Sequence, residues 1–295
     1  MKKRILSCLL CICVLPFVFS SGNSKVLNLM KTVNLTEVKG YQLETSSPEL
    51  IKNNSSDLTV KFNYPDVWTV EDLPTELKDV LEWEKTESIH IIAQLPEQDI
   101  YLYGLFKGYN GGHGGVLLRK GRQITEFSWD YLTPRNILPE ISYKDYDNDG
   151  KCELAVILYV GSGTGIAIEQ LHIIEFDGSE MTDKILSEEL YSVDLSGKMN
   201  LKMENEKAEL SIGDQKVIIN EFLPFEDAGN VFGVFPIQFI VEFSFSGNKI
   251  TANFGVGIKY ELIATPFFVA DLKADVSYKN GEYNFSDFIL TKINC

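Results

Sequence analysis

From Phe239 to Ile258 the chain alternates. Phe239, Val241, Phe243 and Phe245 are apolar at every second position. The pattern resumes after Gly247-Asn248 at Ile250, Ala252, Phe254, Val256 and Ile258. Successive side chains of a strand point to opposite faces, so this period buries one face of a sheet. A helix carrying it would scatter its apolar residues round the whole cylinder. The pair between the two runs reads as a hairpin turn. Similar signals recur at Lys120-Gly121, Asp177-Gly178, Asn205-Glu206, Gly213-Asp214 and Asn280-Gly281. Asn280-Gly281 is the strongest, because both residues accept the positive φ of a two-residue turn. Upstream, Ile89, Ile91 and Ala93, then Ile100 and Leu102, then Val116 and Leu118 continue the extended pattern. The chain therefore predicts a mainly β fold, an antiparallel meander with a C-terminal β region and minor helix. The one helix read from spacing runs from Pro74 to Trp83, with Leu77, Val80 and Leu81 on one side and Pro74 in the first turn.

The order of these signals divides the chain. Residues 1–22 have the form of a signal peptide: basic Lys2, Lys3 and Arg4, then apolar Ile5 to Phe19, then small residues for cleavage. The apolar run is shorter than the ~20 residues a membrane span needs. Residues 23–58 are polar and read as a loosely ordered entry segment. Residues 59–190 carry a repeated pattern, and 191–295 the C-terminal antiparallel region. The repeat compares Asp99–Gly121 with Glu153–Gly178. Each copy reads strand, glycine-rich loop, strand, tight turn and strand, at the spacing of blade-like sheet units.

The glycine-rich part of the second copy, Gly161-Ser162-Gly163-Thr164-Gly165, looks on its own like a cofactor-binding turn. Such a turn must open a helix before the next strand. Here Ile166, Ile168, Leu171 and Ile173 read as extended, and the next turn arrives at Asp177-Gly178. No helix fits between them, so the glycines permit positive φ or close backbone approach in a long hairpin loop.

The stretch just before it carries more chemistry. Asp145, Asp147 and Asp149 alternate, Gly150 follows, and Glu153 stands four residues beyond Asp149. Calcium takes six to eight oxygens, and alternating carboxylates in a tight loop put several on one side. Glycine permits the sharp turn, the Lys151 carbonyl is a natural further ligand, and Glu153 would close the cage. Without a cation these carboxylates repel one another. An EF-hand requires glutamate at the twelfth loop position, which here is Val156, and a helix where a strand follows.

The run from Asp145 to about Phe176 resembles the calcium loops of FG-GAP and VCBS repeats, D-x-D-x-D-G-x-x-D followed directly by a strand. That resemblance implies Asp145, Asp147, Asp149 and the Lys151 carbonyl as calcium ligands, with Glu153 standing where the pattern has aspartate. It also implies blade-like β units of the kind found in adhesion and polysaccharide-binding proteins. The whole chain further resembles small secreted Firmicute proteins, a likeness that implies no mechanism.

Catalytic signals are sparse. His90 and His172 fall within strand patterns, His113 sits in Gly-Gly-His-Gly-Gly, and no second histidine or cysteine stands at ligand spacing. Trp68, Trp129 and Tyr131 suit either a core or a sugar-stacking surface. Cys152 and Cys295, the cysteines left after signal removal, can pair or stay free. Net charge is −15, and loss of three basic residues with the signal makes it −18. That balance opposes nucleic-acid binding, which needs cationic patches. No second apolar segment suggests a membrane span. The expectation is an exported, calcium-stabilised β protein, a non-enzymatic binding or envelope-associated module for a glycan or protein ligand outside the cell. The alternative is a secreted glycan hydrolase using a carboxylate pair that sequence cannot select.

Overall fold

Strands dominate the described residues of the computed structural model. It describes residues 49–52, 58–61, 64–77, 89–105, 113–163, 165–204, 207–219, 229, 231–263 and 266–293. All belong to the compact unit Pro48–Cys295. Residues 1–22, expected to be a signal peptide, residues 78–83 of the expected helix and Cys295 lie outside the described residues; Pro74–Leu77, the described start of that helix, is not helical. After a short hairpin of β1 (Glu49–Lys52) and β2 (Leu58–Lys61), the chain builds two four-stranded antiparallel meanders.

The first comprises β3 (Ile89–Leu95), β4 (Ile100–Leu105), β5 (His113–Lys120) and β6 (Gln123–Tyr131), in that order. The second comprises β7 (Glu140–Lys144), β8 (Glu153–Gly163), β9 (Ile166–Asp177) and β10 (Glu180–Leu186), each paired to the next. These are the two strand–loop–strand–turn–strand patterns, each extended by one strand at its start. β8 reaches Gly163 and β9 begins at Ile166, so the glycine-rich turn opens a strand and not a helix.

The two meanders pack face to face. Ile92, Ile100, Leu102, Val116 and Leu118 meet Leu154, Val156, Leu158 and Ile174 in one buried cluster. The opposite face of the first meander buries Ile91, Tyr103, Leu105 and Leu117 against Leu73. With both faces covered, strands such as β5 read as continuous apolar runs, not as alternation.

A helix, α1 (Glu188–Lys198), follows β10 directly. Ser187 caps it, its side chain accepting from the Leu190 N–H, and Glu188 and Glu189 complement the helix dipole. Only Tyr191 and Leu195, one turn apart, are buried. Its other apolar residues, Leu190 and Val193, are exposed, so the apolar positions mark no single face that spacing could have revealed.

A small sheet of β11 (Met199–Glu204), β12 (Lys207–Ile212) and β13 (Gln215–Ile219) comes next. Four long strands complete the fold: β14 (Val231–Ser246), β15 (Lys249–Tyr260), β16 (Phe267–Lys279) and β17 (Glu282–Lys292). Two of their turns fall at Gly247-Asn248 and Asn280-Gly281, and the latter pair has φ of 53° and 82°. β14 also pairs with β9, in parallel, through Ile240–Ala167 and Val241–Ile168. The second meander and the C-terminal strands thus share one eight-stranded sheet, drawn from both sides of residue 190. Ile250, Ala252, Phe254, Val256 and Ile258 all enter the largest core cluster, together with Ile157, Leu171, Ile173, Tyr191, Leu195 and Leu210.

Candidate metal centre

The acidic loop is the β7–β8 connection. Lys144 pairs with Glu153 at the neck, leaving residues 145–152 to make the turn. Two backbone conformations shape it. Asn148 has φ 61° and Gly150 φ 89°. A Cβ on Gly150 would meet nothing within 4 Å, so its conformation and not lack of space is what suits glycine there.

The aspartates organise the loop by accepting its backbone N–H groups. Asp145 accepts from Asp149 N at 3.2 Å and Gly150 N at 3.0 Å. Asp147 accepts from Asp149 N at 3.0 Å, and Asp149 from Lys151 N at 2.7 Å. An ionised carboxylate offers about four acceptor sites, so these bonds orient the groups without exhausting them. One carboxylate oxygen from each of Asp145, Asp147 and Asp149 lies within 4.8 Å of the others. Asp145 and Asp147 are half-buried and Asp149 is exposed. Three anionic oxygens converging at the surface are a hard donor set. Their spacing, with glycine after the third aspartate, matches the first half of an EF-hand loop, where the next ligand is the carbonyl at the Lys151 position.

Glu153 is placed differently. It is 5% exposed, and its Oε2 accepts from Tyr146 N at 2.8 Å. Burial raises its carboxyl above the ordinary range. The Tyr146 bond opposes that shift, while Asp147, Asp149 and Asp145 add to it. The structure therefore gathers the three aspartates and sets Glu153 beneath them. Lys151 lies on the exposed side, beyond Gly150. The loop is anchored at its base. Tyr146 packs against the main core, and the Lys144 ammonium donates to the Gly247 carbonyl in the β14–β15 turn.

The other sequence candidates lie apart from this loop or are buried. His90 and His172 are buried in β3 and β9. His172 joins a cluster absent from the sequence reading. Its Nδ1 lies 2.9 Å from Asp183, its Nε2 lies 3.1 Å from Gln170 Oε1, and Trp129 Nε1 donates to the same Asp183 at 2.7 Å. Trp129 and Tyr131 are core residues, and Trp68 is half-buried. The side chain of His113 lies outside the described residues. Cys152 is exposed. Among the described residues, no helix is long and apolar enough to cross a membrane.

No protein-family model, curated protein or solved structure matches this chain. Its class rests on its own architecture: a mainly β protein of packed antiparallel sheets, with an Asp145-Asp147-Asp149 cluster able to hold a metal ion.

Proposed function

We propose that this chain is an exported β protein whose β7–β8 loop binds calcium, and that it works as a non-enzymatic binding or envelope-associated module. The observation that carries the reading is the convergence of the three aspartate oxygens in a loop already shaped by Asn148 and Gly150. Asp145, Asp147 and Asp149 would hold the ion, with the Lys151 carbonyl beside them, and calcium would supply the charge that offsets their repulsion. Its role is to fix the turn that launches β8, whose Leu154, Val156 and Ile157 feed both cores. Support for export comes from the basic and apolar N-terminal pattern. A glycan or protein outside the cell is the proposed partner class.

The test is a thermal melt of the mature protein in calcium and in chelator, beside Asp147→Ala/Asp149→Ala, with calorimetry. A ligand bound only by the folded state stabilises by about 2.7 kcal/mol at a hundredfold excess over Kd. For a unit of this size that raises Tm by about 5 to 10 °C. The double variant should lose the calcium response and keep its β signature, because the packing beneath the loop is apolar. Magnesium, which prefers tighter octahedral geometry, should substitute poorly. Identical melts with and without calcium, and no heat of binding at millimolar calcium, would reject the reading.

A further inference from the structure

β9 has two partners along one edge. β8 occupies its other edge from Ile166 to Ile174. On the shared edge, β14 pairs with Ala167 and Ile168, whereas β10 pairs from Leu171 to Asp177. The sheet forks between them, at Glu169. Past the fork β14 runs on without β9, and its backbone loses a ladder partner. The Glu169 carboxylate replaces it, Oε2 accepting from Phe243 N at 2.6 Å. A buried N–H needs such a partner, but here the acceptor is a group that titrates. Among the described residues, two ladder pairs and this one side-chain bond join β9 to β14 and continue the sheet.

The surroundings of Glu169 do not favour a charge. It is half-buried, Tyr159 stands opposite it on β8, Glu140 approaches from β7 and Glu242 from β14. Glu242 accepts from Asn253 on β15, and it adds to burial in raising the Asp271 carboxyl on β16. Lys273 is exposed and separated from Glu242 by β15 in the register. Burial first, then Glu242 and Glu140, push the Glu169 carboxyl up to about 7, against the opposing Phe243 bond.

We propose that the β9–β14 junction is a proton-operated joint, held while Glu169 is protonated and opened locally when it is ionised. A protonated carboxyl still accepts from Phe243 N through its carbonyl oxygen and carries no charge to desolvate. Once ionised, Glu169 gains by reaching water, and β14 separates from β9 at Val241 and Phe243. The fork then responds to pH near neutrality while β14–β15–β16 stay paired. This rests on no property of the acidic loop.

Hydrogen exchange of the full chain at pH 5 and pH 8 tests it, each amide being scaled to its own intrinsic rate. Wild type should lose protection at Val241 and Phe243 by about tenfold or more between the two values. Amides of the β15–β16 ladder should hold theirs. Glu169→Gln keeps the acceptor and removes the charge, so it should show a flat profile. Equal profiles in wild type and variant would overturn the proposal, as would a loss spread evenly over all strands. If the variant does not fold, the carboxyl carbon of Glu169 in wild type is titrated by NMR. A midpoint above about 6 supports the joint, and one in the ordinary carboxylate range near 4.3 overturns it.

Discussion

At the scale of single residues, the closest approach among the described glycines marks a missing side chain. Gly104 lies on β4 where Tyr131 and His90 converge. A Cβ built there would stand 1.8 Å from Tyr131 Oη and 2.8 Å from His90 Nε2. Tyr131 is 1% exposed and His90 3%, so neither can swing aside into solvent. Gly104→Ala should therefore destabilise by about 1–3 kcal/mol through overpacking, read as a lower urea midpoint at unchanged slope. Tyr131→Phe removes the nearest colliding atom. Combined with Gly104→Ala it should recover part of the loss, and full additivity of the two changes would contradict the contact. The acidic loop differs in kind. Gly150 is constrained by its backbone angle and not by its neighbours, so substitution there strains the turn without disturbing a core.

Between elements, the two meanders are held by polar contacts as well as by their shared apolar face. Lys120, at the end of β5, sets its ammonium 3.9 Å from the Phe176 ring centroid and 2.7 Å from Tyr143 Oη, both on the second meander. Asp183 on β10 receives the Trp129 indole N–H from β6 and faces the fully buried His172 ring. Removing an acceptor that serves buried donors leaves them desolvated and unpaired, at about 1–3 kcal/mol for each group. Asp183→Ala should thus cost about 2 kcal/mol or more and shift Trp129 fluorescence, and Asp183→Asn should cost less because its amide oxygen still accepts. Equal, negligible losses in denaturant melts of both variants would show that the apolar face alone holds the meanders together.

Across the whole molecule, acid residues with raised carboxyls add a pH dependence to stability. Burial is the leading cause for Glu169, Glu188 and Asp271, all held above their ordinary values. A carboxyl with a higher pKa folded than unfolded binds more protons in the native state, so stability falls as pH rises between the two values. For Glu169 that window runs from the ordinary glutamate value of 4.5 to about 7. Melts in chelator should accordingly give a higher Tm near pH 5 than near pH 8, and Glu169→Gln should narrow the gap. A Tm that climbs steadily across that range would contradict the assignment. The sequence by itself determined the class of fold. The alternation of Ile250 to Ile258, the Asn280-Gly281 turn and the doubled strand–turn pattern are local, and local periodicity dictates which face of a strand is buried. It also marked Asp145, Asp147 and Asp149, because side chains two residues apart in a tight loop must converge wherever the loop lies. Tertiary structure alone decided the rest. Nothing in the sequence places Asp183 against Trp129, 54 residues away, or joins β14 to β9 across 74 residues at Glu169 and Phe243. Nor does it reveal that Glu153 turns inward to cap Tyr146. Those pairings depend on how whole sheets stack, and stacking is fixed by the summed fit of many apolar faces, a quantity no short stretch of residues carries.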